Sequence, residues 1–565
     1  MRSRKRLIVL LALTLLPLTG TTATAAPPPG PAYAEPQQAV RIEVPGRPAG
    51  KRLDPTATPK ALTNRSKDAT VPLTLRHLDR TGVLAPGART TVASLDGTIN
   101  GAVDVGTGEA TVDLPPGRYV VVSFVPTGST TSVLVQPLLD LTAPTAVVLD
   151  SRQAKPFKVR VEDGTVASSM VALYFSRRAD DGSALWFDTW ADTLTPLYAA
   201  QIGPALPADE VISSVMTQWA VPDSTGDFTE TPITYTTMDT VRGTFFTGFD
   251  RVVQPKSLVP FESRLFTTGP GNTTDKGVTV LAPEMRFHWS RGYAGAGART
   301  VTEYVEPGTE VLEQFQERDN ASMDSTLVTA QNGRSSRTAQ PGRTYTTPWN
   351  KAVLAPAVRE GSAVRYDNLI RAEFGLYDDT AGHASWGMDT KGATRLYRDG
   401  VLVAEFAGPG RLGRGVEVKA GKASYRLESE VVRNAAARRS TQVKAVWTFA
   451  SDTASTEGEN LPLWSIGFQP AVDLTNDVRR TPITRLPFTV TPQPGATVGT
   501  LGKPVVEISG DQGKTWRSAT VVTQGNGYVA VAATPPGATI SLRAKASDSA
   551  GNAIEQTVLD AYGLR

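Results

Sequence analysis

"PVVEISGDQGKTWRSATVV", residues 504–522, sets two β-rich runs on either side of a turn. Within it Ser509, Asp511, Gly513 and Trp516 fit the Asp-box pattern Ser-x-Asp-x-Gly-x-Thr-Trp. In such a box the Ser and Asp side chains bond local backbone groups, the glycine permits the turn, and the Trp packs beneath it. The stretch predicts a β-hairpin. Outward from it lie "PFTVTP", "GYVAVAAT" and "TISLRAKASDSAGNAIEQTVLDAY". Strands and turns alternating at this short spacing predict an Ig-like or fibronectin-like sandwich over 485–565.

Asp-boxes recur in sialidases and other β-propellers, so a glycosidase must be weighed. A propeller needs one sheet per blade and shows repeats, whereas this chain of 565 residues holds a single box. The box carries no catalytic group. Ser509, Asp511, Gly513 and Trp516 are therefore read as a hairpin staple.

The rest of the chain also reads as β. "VPLTLRHLD" alternates Val71, Leu73 and Leu75 on one face, the period of a half-buried strand. "TTVASLDGTINGAVDV" reads as strand, Asp-Gly turn, strand. "LPPGRYVVVSFV" (114–125) places a turn before a β-branched and aromatic strand. Its Leu-Pro-x-Gly-x-Tyr segment resembles prealbumin-like and carboxypeptidase-regulatory-like sandwiches. "TRLYRDGVLVAEF" is the clearest hairpin, turning at Asp399-Gly400. Helical periodicity is scarce, and "ADEVISSVMTQWA" (208–220) is the one candidate helix. The predicted fold is mostly β, in tandem β-sandwich domains: a prealbumin-like sandwich at 67–150, a β-rich domain at 151–340, a sandwich at 341–484 and the Ig-like domain at 485–565.

The first 66 residues differ. Arg2, Arg4, Lys5 and Arg6 precede the apolar "LIVLLALTLLPL", and "ATA" at 23–25 offers small residues for cleavage. This is the layout of a secretory signal peptide over 1–25, cut near Ala25/Ala26. The apolar run is short for a span of roughly 20 residues, which disfavours a retained anchor. "LPLTG" (16–20) matches a sortase pattern but lies inside the apolar run, so it is read as coincidence. Residues 26–66 are rich in Pro and predict a disordered linker. The expected location is extracellular, with no membrane contact after cleavage.

Charge narrows the partners. The chain has 58 Lys and Arg against 55 Asp and Glu. Without the four basic residues of 1–25 the balance is 54 to 55, which gives no electrostatic reason for nucleic acid binding. There is no Cys, so neither a disulfide nor a thiol nucleophile exists.

Chemistry is sparse. His77, His288 and His383 are the three histidines, and no pair has zinc spacing. No Gly-x-Ser-x-Gly elbow or phosphate loop is present. His77 and His288 sit in predicted strands and read as packing residues. "DDTAGHASWGMD" (378–389) is the most site-like loop. Asp378, Asp379 and Asp389 could supply oxygens to Ca²⁺, although three carboxylates fall short of the usual six to eight ligands. The bland reading is an exposed polar turn holding no cofactor. Asp180 and Asp181 repeat the pattern more faintly beside Trp186 and Trp190, whose rings could stack on sugar or could fill a core.

The ordered set "LTLRHLDRTG", "SLDGTINGAVDV", "ATVDLPPGRYVV", "GRTYTTPWNKAV", "YDDTAGHA", "TRLYRDG", "ASYRLESEVVR", "LPLWSIGFQPAVDLTN" and "VEISGDQGKTWRS" resembles the C-terminal, non-catalytic half of large secreted actinobacterial subtilisin-like serine peptidases. The likeness runs over about 70–565. Those peptidases carry His-Gly-x-x-Val-Ala and Gly-Thr-Ser-Met-Ala segments. Here no His is followed by Gly, so the Ser–His machinery is not implied. The expectation is a secreted, non-catalytic binding or accessory module whose partner is an extracellular protein, a polysaccharide or the cell envelope. The alternatives are a hydrolase with an unrecognised site and a helper or inhibitor of secreted subtilases.

Overall fold

A computed structural model describes residues 39–43, 50–54, 57, 69–194, 197–285, 287–320, 325–333 and 336–565. The expected signal peptide and most of the expected linker lie outside these residues. The described chain is almost wholly β, with two single-turn 3₁₀ segments, Ser151–Gln153 and Pro255–Ser257. The predicted mostly β, multi-sandwich class is what the fold shows.

Its first half is a stack of four sheets. A three-stranded sheet holds Val71–Leu78 between Glu109–Leu114 and Thr145–Asp150. It packs on a seven-stranded sheet that includes Arg89–Ser94, Gly117–Thr127 and Thr130–Leu141. Leu73, Leu75, Val121 and Leu134 meet in that first core. The opposite face of the seven-stranded sheet, with Val120, Val122 and Val133, meets Val171, Leu173 and Phe175 of an eight-stranded sheet. The far face of the eight-stranded sheet, with Met170, Ala172 and Tyr174, packs on Val278, Val280 and Val311 of a six-stranded sheet. Successive residues of one strand thus feed two different cores. This is why "YVVVSFV" and "SMVALYF" are apolar without alternation, as in any sheet covered on both faces.

That doubly covered environment also corrects the expected helix at 208–220. Val211–Ala220 is a strand, paired with Ala167–Arg178 on one side and Ile233–Arg242 on the other. Its positions are buried on both faces except for half-buried Trp219, so its apolar spacing reflects two cores and not a helical stripe.

The sheets also cross the boundaries expected at 150 and 340. Lys155–Val161, Leu197–Gln201 and Phe249–Val253 complete the seven-stranded sheet begun by residues 89–141. Tyr345–Trp349 pairs in parallel with Val259–Leu265, and Ala384–Trp386 pairs with Leu327–Asn332. Local strand patterns gave no information about such long-range pairing.

Residues 350–565 share one large core. Its main sheet runs from the hairpin Lys391–Arg398/Val401–Ala407 through Ala423–Val432, Gln442–Ser451 and Ala553–Leu564 to Thr539–Ser547 and Val505–Ser509, and on to Ile483–Pro492 and Trp464–Phe468. The sheet turns back on itself. Gln556 Nε2 donates to the Ile466 carbonyl at 3.1 Å, and Trp447 Nε1 donates to the Trp464 carbonyl at 2.7 Å. The 484/485 boundary therefore divides one core. The Asp399-Gly400 hairpin forms as expected.

Candidate functional site

The loop after Gly375–Asp378 folds around Asp379. Its carboxylate accepts the backbone N–H groups of Ala381 and His383, each at 3.0 Å, and that of Asn350, also at 3.0 Å. It also accepts Nδ1 of His383 at 2.7 Å. The His383 ring lies flat on Trp349, with centroids 3.8 Å apart. Asp378 is buried, ion-paired with Arg359, and accepts the Ser385 N–H at 3.0 Å. Asp389 accepts the Tyr377 hydroxyl at 3.0 Å. Burial pushes the Asp378 and Asp389 carboxyls up to about 6, against the pull of Arg359 and Arg433 respectively.

This corrects the expectation of an exposed loop. Asp378 and Asp379 are core residues. Protein donors occupy both oxygens of Asp378 and Asp379 and one oxygen of Asp389, and a cation held by Asp378 and Asp379 would have to displace them. Among the described residues no group of three or more His, Asp or Glu is arranged to hold a metal ion.

Around this loop lies a polar junction. Glu317, fully buried, accepts from Thr268 N (2.6 Å), Thr268 Oγ1 (2.8 Å), Asn272 Nδ2 (2.8 Å) and Asn350 Nδ2 (2.8 Å). Asn476 Nδ2 donates to the Thr267 and Asn350 carbonyls, and its Oδ1 accepts the Ala352 N–H. Arg433 reaches Thr329 Oγ1 at 2.6 Å. Gly269 allows the approach here, since a Cβ at that position would sit 2.2 Å from the Ala436 carbonyl oxygen. The arrangement joins the stacked sheets to residues 433–476. Most of its polar groups are spent on a neighbour, while Asn350 Oδ1 and Arg433 Nε are buried without a hydrogen-bond partner.

The other histidines are equally enclosed. His77 is fully buried, with Nε2 2.7 Å from Thr90 Oγ1 and Nδ1 3.1 Å from the Gly108 carbonyl. Thr90 in turn bonds Ser123 at 2.8 Å. Burial lowers His77 to about 4, against the opposing effect of the Gly108 bond. A buried His–Thr–Ser chain of this kind has no route to a substrate carbonyl. His288 is buried with Nε2 at 3.2 Å from the Ala282 carbonyl.

Trp186 belongs to the core between the eight- and six-stranded sheets, and half-buried Trp190 packs against Trp289 with centroids 5.4 Å apart. Trp186, buried in that core, presents no open ring face as a sugar platform would. Asp180 pairs with Arg118 at 2.5 Å, and Asp181 accepts the Ser183 N–H at 2.8 Å. In the Asp-box, Ser509 Oγ donates to Asp511 Oδ1 (2.7 Å) and accepts Gly513 N–H (2.9 Å), while Asp511 accepts Thr515 N–H and Oγ1–H. The hydroxyl of Thr515 leads these bonds in holding the Asp511 carboxyl far below its usual range. These bonds are local to the turn, and Trp516 is half-buried where the motif leads us to expect a ring packed beneath it.

The sequence reading missed charged groups inside the stack. "VLEQFQER" places Val311, Glu313, Phe315 and Glu317 on its buried face. "DKGVTV" sets Lys276 in line with Val278 and Val280, and "VTEYV" sets Glu303 between Val301 and Val305. A charge at an inward position of an alternating strand was the available clue. Surface recesses offer little more: one is lined by Ser176, Arg178, Asp209, Glu210 and Glu284, another by Val364, Tyr366, Arg371 and Glu373. Neither includes a histidine or a candidate residue.

No family model matches the chain, and no curated protein matches it. Among solved structures, the chain is weakly similar to a point mutant of Salmonella alpha-2-macroglobulin, at 10% identity and TM-score 0.16, covering 90% of this chain and 41% of that one. Trypsin-activated alpha-2-macroglobulin from Escherichia coli gives 8% identity and TM-score 0.13, covering 89% and 50%. The BSP domain of a biofilm associated protein gives 9% identity and TM-score 0.12, covering 88% and 99%. The chain thus spans half or less of the length of the two macroglobulins. No helix among the described residues is long and apolar enough to cross a membrane.

Proposed function

We propose that this chain is a secreted, non-catalytic β-sandwich protein that binds another extracellular protein through a sheet edge. The observation that carries this reading is Val401–Ala407. It is the edge strand of the main C-terminal sheet, and its residues Val401, Leu402 and Val403 are 66%, 47% and 41% exposed. Sheet edges are normally blunted by charge, proline or cover. Three adjacent exposed apolar residues leave both faces of this strand open, and an extended segment could add to it by main-chain bonding. Two further features support the reading: the basic–apolar–small order at the N-terminus, and the enclosure of all three histidines. The resemblance to tails of secreted peptidases makes a secreted protein the natural partner.

The test places a photo-crosslinking amino acid at Leu402 and exposes the purified protein to culture filtrate of its source. One protein should be captured at this position, and the double variant Val401→Lys, Val403→Lys should abolish capture without lowering the melting temperature. Capture no greater than from a probe at exposed Thr520, or casein turnover with labelling by a serine-directed reagent, would overturn the proposal.

A further inference from the structure

Lys276 lies inside the stack, 1% exposed, with Glu303 at 2% and Glu313 at 3%. Lys276 is on Thr273–Leu281 of the six-stranded sheet, and Glu303 is on Arg299–Val305 of the eight-stranded sheet. Their contact, Nζ to Oε2 at 2.5 Å, therefore bridges two facing sheets. Glu313 is on the strand beside Lys276. The register sets Lys276 opposite Phe315 and Val278 opposite Glu313, so Glu313 is a diagonal neighbour on the same face. Its Oε1 is 3.6 Å from Nζ, its Oε2 is 3.5 Å from Arg337, and neither oxygen makes a hydrogen bond. The Trp349 ring covers the ammonium at 5.2 Å and stacks in turn on Phe315.

One ammonium between two buried carboxylates is costly as an ion cluster. Burial raises the Glu303 carboxyl despite Lys276. In so dry a place the pair can lower its charge by passing a proton from Nζ to Glu303, leaving an amine against a carboxylic acid. Those are the reactants of an amide condensation, already held in contact.

We propose that Lys276 and Glu303 join in an intramolecular isopeptide bond, with Glu313 as the proton carrier. Nζ attacks Cδ of protonated Glu303, forming the N–C bond. Glu313 takes one proton from the attached nitrogen and gives it to the carboxyl hydroxyl. The C–OH bond breaks, water leaves, and the carbonyl re-forms. No oxidant or activated co-reactant is needed. The product replaces two buried charges with one neutral amide, and it rivets the third sheet of the stack to the fourth.

Intact-mass measurement of the purified, denatured full chain tests this, with the termini read from their own peptides. The expected mass is one water below that of the sequence, with a branched peptide joining Lys276 to Glu303 after digestion. Lys276→Arg and Glu303→Ala should each show the full mass. Glu313→Gln should fold, by circular dichroism, yet remain largely uncondensed. A parent at full mass overturns the proposal, as does a water loss that persists in Lys276→Arg. A Glu313→Gln variant that condenses as fully as the parent removes the assigned carrier.

Discussion

Trp516 shows how a motif fixes chemistry without fixing burial. The residues of the box bond as the pattern dictates, yet the indole lies only half covered, with the Arg543 guanidinium 4.7 Å from its centroid and Gly513 beneath. An exposed cation–π contact contributes about 0.5–1 kcal/mol. Trp516→Ala should therefore cost about 1–2 kcal/mol, below the roughly 3–5 kcal/mol of a fully buried aromatic. Thermal denaturation of the two proteins checks this, and a loss as large as that of a core aromatic would show the ring to be covered. The local bonds of the box were legible because they join residues a few positions apart. The partial covering of its ring depends on Arg543, which no local pattern brings near.

At the level of the element, Val71–Leu78 carries a titration. His77 is neutral when folded, held there by burial, and its value falls from 6.5 to about 4. Between those values the unfolded chain binds the extra proton, so stability is lost as pH falls from about 6.5 to 4. The full loss is about 3 kcal/mol. His77→Gln should flatten the dependence of melting temperature on pH across that window, and an unchanged slope would contradict the assignment. Asp378 and Asp389 act with the opposite sign. Their raised values favour the folded state as pH falls from about 6 toward the ordinary carboxylate range. The strand bearing His77 was readable from its alternation, as was the hairpin at Asp399-Gly400. Val211–Ala220 was not, because a strand covered on both faces loses the alternation that identifies it. The loop at 378–389 was found for its carboxylates, but their burial depends on Arg359, Asn350 and Trp349, which the fold brings in from outside that loop.

In the whole molecule, the two halves are joined by buried polar groups more than by a continuous sheet. Glu317 alone accepts from Thr268, Asn272 and Asn350. Glu317→Ala would leave those donors buried and unmatched, at a cost of about 3 kcal/mol. Scanning calorimetry should then show the stacked sheets and the C-terminal core melting separately, where the parent melts as one coupled body. A variant that melts as the parent does would mean that the joint is held elsewhere. The division of the sequence into short sandwiches was reasonable strand by strand. It failed at the joints because which distant strands pair into one sheet leaves no mark in local composition.

Ala553–Leu564 pairs on one side with Gln442–Ser451 and on the other with Thr539–Ser547. Gln442–Ser451 must therefore wait for a partner synthesised about a hundred residues later. Contacts so distant along the chain slow folding. During synthesis the hairpin strands from Lys391 onward would emerge with one edge open, and they would stay vulnerable to proteases and to one another until those last strands arrive. A chain stopped short of residue 553 loses the stave between two groups of strands and, with it, the means of closing either.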